Sequence, residues 1–383
     1  MNKKIIKKSD GKNISGSKTE NLHEKNLHLE ALRGVLALMV LVSHVSLIRL
    51  YFGRSNEYLN PIIFHLGRVA VTGFFVLSGY LITMSIFRRM ENNNWSISKF
   101  YIGRVFRIWP LYFFVVVLAI YVLPSINALH FTLPNFVSDA RIETFNYWYF
   151  LFFMPQVPLI NNCVLPFAEP TWSIGVEEIF YIVIPWIIAS SKKNFTKGLS
   201  IFVFVFVVAK YIAIYWFQLP SSDFIAKLFN YYRYDCIALG CLMGVLHSTK
   251  NKLFISVGGS LLLFSLFGFI LLFNFITVYS YDYFPFAICF AVIIAYLVNK
   301  ANTFSSPKWL VYIGTISYSL YLTHEIVIVF LLNKNLDITS SLLMYSASIL
   351  LAIALASIIH YAIEKPFMNY GIFLLKKKKE IET

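Results

Sequence analysis

Apolar residues fall in long runs along this chain, separated by short polar stretches. The first run, Leu29 to Leu50 (LEALRGVLALMVLVSHVSLIRL), can cross a bilayer as a helix, which takes about 20 mostly apolar residues. Further runs at about 62–87, 104–123, 171–190, 199–217, 232–247, 253–277, 283–299, 309–332 and 340–363 bring the expected spans to ten. The sixth is short and carries Arg233 and Asp235 at its start. Residues 124–170 break the pattern. Six prolines surround the aromatic patch NYWYFLFFMP, which is too short and too proline-flanked to span and predicts a re-entrant or interfacial segment. The fold class expected is all-α, a polytopic helical membrane protein. Its transmembrane domain would cover 29–367, between basic tails at 1–28 and 368–383.

Composition agrees: 58% of the 383 residues are hydrophobic and only 14% charged, as in a polytopic membrane protein. A net charge of +14 would suggest nucleic acid in a soluble protein. Here 24 lysines and arginines fall on the side of both termini against seven on the other, so no nucleic-acid partner is expected. Positive charge gathers on the cytoplasmic side. The chain is therefore expected to cross the cell membrane many times with both termini cytoplasmic. The first 28 residues hold seven lysines and no apolar core, which predicts no cleavable signal peptide. Cys163, Cys236, Cys241 and Cys289 lack paired spacing, so neither a metal site nor a disulfide framework is expected.

Ionisable groups are expensive in hydrocarbon and usually face a polar interior when present. Arg33 and His44 lie eleven positions apart, so they return to nearly one helix face, roughly 16 Å apart along the axis. Arg104 and Arg107 are three apart and share a face, two guanidinium forks suited to phosphate. Ser173, Glu177 and Tyr181 form an i, i+4, i+8 row, with Glu178 beside it; Ser317, Tyr321 and His324 form a second row, next to Glu325. A structural role stays open for each group. Arg33 can snorkel to the interface, Arg104 and Arg107 can serve as positive-inside anchors, and one glutamate can pair with a neighbouring arginine. His324 reads as a packed, hydrogen-bonded histidine, and Glu364 and Pro366 as structural. No nucleophile elbow, P-loop or metal-ligand spacing occurs, which leaves a serine hydrolase, an ATPase and a metalloenzyme unsupported.

Taken together, these motifs resemble membrane acyltransferase family 3. LEALRGVLALMVLVSH is similar to its opening helix, with Arg33 and His44 in an R-x10-H pattern. GFFVLSGYLIT is similar to its second helix, and Arg104-Val-Phe-Arg107 to its R-x-x-R motif. WSIGVEEIFYIVIP, GTISYSLYLTHE and IEKP follow in the family's order. The resemblance implies transfer of an acyl group, most often acetyl, from cytoplasmic acyl-CoA (acetyl-CoA) to a hydroxyl of a carbohydrate or lipid-linked saccharide. By that resemblance Arg104 and Arg107 would hold the CoA phosphates, His44 would be the general base, and Arg33 would orient the donor or stabilise the thioester carbonyl. Glu177 or Glu178 would fix the imidazole tautomer, with no means of choosing between them. Membrane lipid and the saccharide acceptor are the implied partners, and a homo-oligomer is compatible with everything above. A proton-coupled transporter uses the same intramembrane residue types, and a silent scaffold for polysaccharide assembly is a third possibility.

Overall fold

The computed structural model describes residues 26–135, 137–141, 146–190, 192–217, 219, 223–275, 282–300, 303, 305–335 and 341–382. Most of the expected tail 1–28 lies outside these residues. Helix α1 (Leu27–Tyr51) starts where Asn26 Oδ1 accepts the backbone N–H groups of His28 and Leu29, at 3.1 and 3.3 Å. Helix α2 (Pro61–Glu91) repeats the device with Asn60 as cap and proline at the first turn, where a missing N–H costs nothing.

The chain continues with α3 (Ile97–Val117), which runs on through a π turn at Leu118–Val122, then the short α4 (Asn146–Leu151) and α5 (Gln156–Ile160). Next come α6 (Thr171–Ser190), α7 (Lys192–Tyr211), α8 (Phe224–Tyr231), α9 (Tyr234–Ser248), α10 (Lys252–Ile255), α11 (Gly259–Phe275) and α12 (Phe284–Asn299). The last are α13 (Lys308–Thr315), α14 (Ser317–Asn333), α15 (Ser341–Ile359) and α16 (Lys365–Glu382). Strand is confined, among the described residues, to a two-residue parallel bridge of Ser138–Asp139 with Cys163–Val164.

Among the described residues, four helical stretches are long and apolar enough to cross a membrane: Leu27–Tyr51, Pro61–Glu91, Ile97–Ser125 and Ser341–Lys377. A fifth is reached by counting α13 and α14 together, which meet at a 79° bend. Part of the difference from ten runs has identifiable causes. The run at 309–332 is broken at Ile316, and the one at 253–277 becomes the four-residue α10 followed by α11. The run at 232–247 yields a helix of 15 residues. NYWYFLFFMP, expected not to span, gives only the six residues of α4. The expected basic tail at 368–383 is helical through Glu382, and its Tyr370 ring lies 5.4 Å from that of Phe106 on α3.

Helices α1 and α2 form the centre, and small residues set how closely others approach them. A Cβ on Gly79 would sit 2.0 Å from the Ile237 carbonyl oxygen, and one on Gly240 2.0 Å from that of Val76. Gly34 and Gly314 likewise bring α1 against α13. Close backbone approach of this kind is how apolar helices associate where burial of apolar surface gives little drive. The periphery presents large apolar side chains outward: Phe204 is 69%, Phe264 73% and Leu350 68% exposed. Such a surface far exceeds what a soluble monomer shows; it fits a lipid solvent.

Candidate active site

A cavity of about 110 Å³ opens beside the N-terminal half of α1. Arg33 of α1, Ser78 of α2, Arg104 and Arg107 of α3, Glu177 and Tyr181 of α6, and Tyr318 of α14 all line it. Three guanidinium groups face one carboxyl group there, an excess of positive charge suited to an anion. Its walls are held by hydrogen bonds. Tyr181 OH donates to Glu177 Oε2 at 3.0 Å and accepts from the Ser78 hydroxyl, while Tyr318 OH donates to the Ile108 carbonyl at 2.8 Å. Arg104 lies over the Tyr181 ring at 5.3 Å, and Arg33 pairs with Glu30 at 3.3 Å, one helical turn earlier.

The far wall is made by Ser173 and Tyr321, whose hydroxyls are 2.8 Å apart. The Tyr321 ring is 6.3 Å from that of His324, which in turn meets His44. His44 Nδ1 is 2.6 Å from His324 Nε2, and the two rings stack at 4.8 Å. Glu325 Oε1 is 3.8 Å from His44 Nδ1. His324 and Glu325 are fully buried; the His44 side chain keeps 16% exposure. One ligand atom from each of the three lies within 4.8 Å of the others, a grouping able to hold a metal ion that no local spacing in the sequence announces.

The fold thus brings together Arg33, Arg104, Arg107 and Glu177, and sets His44 beyond the cavity's far wall. It does not bring Glu177 or Glu178 to His44. Glu177 accepts from Tyr181, and Glu178 from Trp109 Nε1 at 2.9 Å. The acidic neighbour of the imidazole is Glu325. His324 is hydrogen-bonded and packed, as expected, and its partner is the proposed base itself. Glu364 accepts from Ser319 at 2.7 Å and contacts His360 at 2.9 Å, tying α14 to the π turn His360–Glu364 between α15 and α16.

A second polar cluster escaped the sequence reading. Lys210 on α7 reaches Asp235 at 2.6 Å and Asp282 at 2.8 Å, all three largely buried. The available signal was a lone lysine in FVFVVAKYIAIYW, which a buried position obliges to find carboxylates. Nearby, Arg233 Nη1 donates to the Thr72 hydroxyl at 2.9 Å and its guanidinium lies 4.0 Å over the Tyr283 ring.

The fold and site define a helical bundle with a cationic cavity suited to an anion and, beyond its far wall, a pair of histidines. The chain matches the family described as acyltransferase domain over residues 26–361 and belongs to membrane acyltransferase family 3. Two relatives illustrate the similarity. The provisionally named O-acetyltransferase SACOL0978 of Staphylococcus aureus (strain COL) is 28% identical over 348 residues, 83% of this chain and 57% of the relative. O-acetyltransferase OatA of Staphylococcus aureus (strain MRSA252) is 26% identical over 359 residues, covering 85% and 58%. The chain spans a little over half the length of these relatives. No solved structure matches it.

Proposed function

We propose that this chain is an integral membrane O-acyltransferase that takes an acyl group, acetyl in the first instance, from cytoplasmic acyl-CoA and passes it to a hydroxyl of a cell-surface carbohydrate or lipid-linked saccharide. The observation that carries the reading is one cavity lined by Arg33, Arg104 and Arg107 together, whose far wall at Ser173 and Tyr321 adjoins the His44–His324 pair. Phosphates of the donor suit the two forks of Arg104 and Arg107, which α3 presents on one face. Arg33, lining the same cavity, offsets negative charge developing at the thioester carbonyl. His44 takes the proton of the acceptor hydroxyl as that oxygen attacks the carbonyl carbon; the thioester C–S bond breaks and the CoA thiolate leaves. The family match and the relatives' names support the acyl-transfer half of this proposal.

We further propose ten membrane crossings with both termini cytoplasmic, the arginine end of the cavity then facing the donor's compartment. The 24-to-seven asymmetry of lysine and arginine supports this orientation. A proton-coupled transporter is the competing reading. Transporters of that kind carry broken helices in pairs, and among the described residues one helix pair is broken, at Ile316. Consumption of labelled acyl-CoA by the purified protein in proteoliposomes, with an acceptor saccharide present, separates the two. Turnover that disappears in His44→Ala supports the enzyme; gradient-driven uptake without acyl-CoA consumption refutes it.

A further inference from the structure

The acidic partner expected to orient the base is absent from its place, and a histidine stands there instead. Tautomers in this chain of rings follow from the one group whose role is fixed. A backbone carbonyl only accepts hydrogen bonds. His324 Nδ1 lies 3.1 Å from the Leu320 carbonyl oxygen, one turn back on its own helix, so that nitrogen carries the hydrogen. In neutral His324 the other nitrogen, Nε2, is then bare and can only accept. It faces His44 Nδ1 at 2.6 Å, so His44 Nδ1 is the donor. A neutral His44 with its hydrogen on Nδ1 has a bare Nε2. Glu325, at 3.8 Å from the same Nδ1, is beyond hydrogen-bond reach and cannot set the proton's position by a direct bond.

We propose that His324, anchored by the Leu320 carbonyl, is the positioning residue that holds His44 in the Nδ1–H tautomer and leaves Nε2 as the proton-accepting atom. The purpose of the device rests on the acyl-transfer reading; the tautomer itself does not. The relay is directional: Leu320 accepts from His324, His324 accepts from His44, and His44 is left to accept from a hydroxyl. This is the orienting task that a buried carboxylate performs in a Ser-His-Asp triad, carried out here by a neutral ring. Burial supports the division of labour. His324 is 1% exposed and locked on its own turn, whereas the His44 side chain retains 16% exposure and its Nε2 has no partner among the described residues. When His44 takes a proton at Nε2, the hydrogen bond from Nδ1 to His324 persists and the ring does not turn.

The test reads the tautomer and the chemistry separately. Nitrogen-15 spectra of the full chain in lipid, labelled at histidine and assigned by loss of the His44 signals in His44→Gln, should show a protonated Nδ1 and a bare Nε2. His324→Leu removes the acceptor and should redistribute the His44 proton. It should lower kcat at least about tenfold, a part of the 10²–10⁴-fold that a general base contributes, with the donor KM unchanged. His324→Gln places a carbonyl oxygen near the lost Nε2 and should restore both the tautomer and most of kcat. A protonated Nε2 on His44 in the unaltered protein overturns the inference. So does an equal fall of kcat in the leucine and glutamine variants with the His44 tautomer unmoved. Stoichiometric divalent metal bound through His44, His324 and Glu325 would overturn it as well, because a cation takes the lone pairs that the hydrogen bond requires. If the tautomer is found as derived but no variant or parent transfers acyl groups, the proposed function fails and the inference stands.

Discussion

Replacing Arg104 and Arg107 together with alanine tests the cavity at its best-defined point. Both guanidinium groups line it, and Arg33 remains as the third. A hydrogen bond to a charged group is worth about 1.5–3 kcal/mol, so two lost contacts bound the effect at about 3–6 kcal/mol. At about 1.4 kcal/mol per factor of ten, that range is roughly 10²–10⁴ in Kd. Neighbouring contacts are not additive and Arg33 keeps part of the field, so about tenfold is the floor. The assay is titration of the purified protein with acyl-CoA and with dephosphorylated pantetheine thioester. Binding of the first should weaken and that of the second should hardly change. Arg88→Ala with Arg89→Ala removes the same charge at the end of α2, outside the cavity lining, and should leave donor Kd near its original value. Unchanged donor affinity in the Arg104/Arg107 variant, or an equal loss in the Arg88/Arg89 variant, would refute the assignment.

Four further outcomes are expected. His44→Gln should depress turnover by about 10²–10⁴-fold while donor binding survives, because an amide keeps a hydrogen bond but carries no proton; near-normal turnover excludes the general-base role. Gly240→Leu should lower the detergent melting temperature sharply, since its Cβ would meet the Val76 carbonyl at 2.0 Å, whereas Gly268→Ala, with nothing within 4 Å, should not. Lys210→Met leaves Asp235 and Asp282 buried without their cation and should destabilise the fold by about 3–5 kcal/mol, read by thermal unfolding. An introduced cysteine at Asn135 should react with an impermeant reagent in intact cells and one at Trp95 should not; the reverse pattern would invert the proposed orientation.

The resemblance to an acyltransferase family and the helical class were legible from the chain itself, because both depend on local order. A run of apolar residues, an Asn before α1 and an Asn-Pro before α2 act within a few positions of themselves. Arg104 and Arg107 share a face by spacing alone, and so do Arg33 and His44. What needed the tertiary structure was every relation between helices. Periodicity cannot say that α14 bends by 79° against α13, or that Gly314 at the end of α13 packs against the Glu30 carbonyl of α1. It cannot tell that Glu177 and Glu178 turn to Tyr181 and Trp109 while a histidine 280 positions from His44 takes its Nδ1. Side chains that meet across the bundle leave no spacing in the sequence. Their pairing is decided by which backbones can approach closely, and that is set by a few glycines and by the requirement that each buried polar group find a partner.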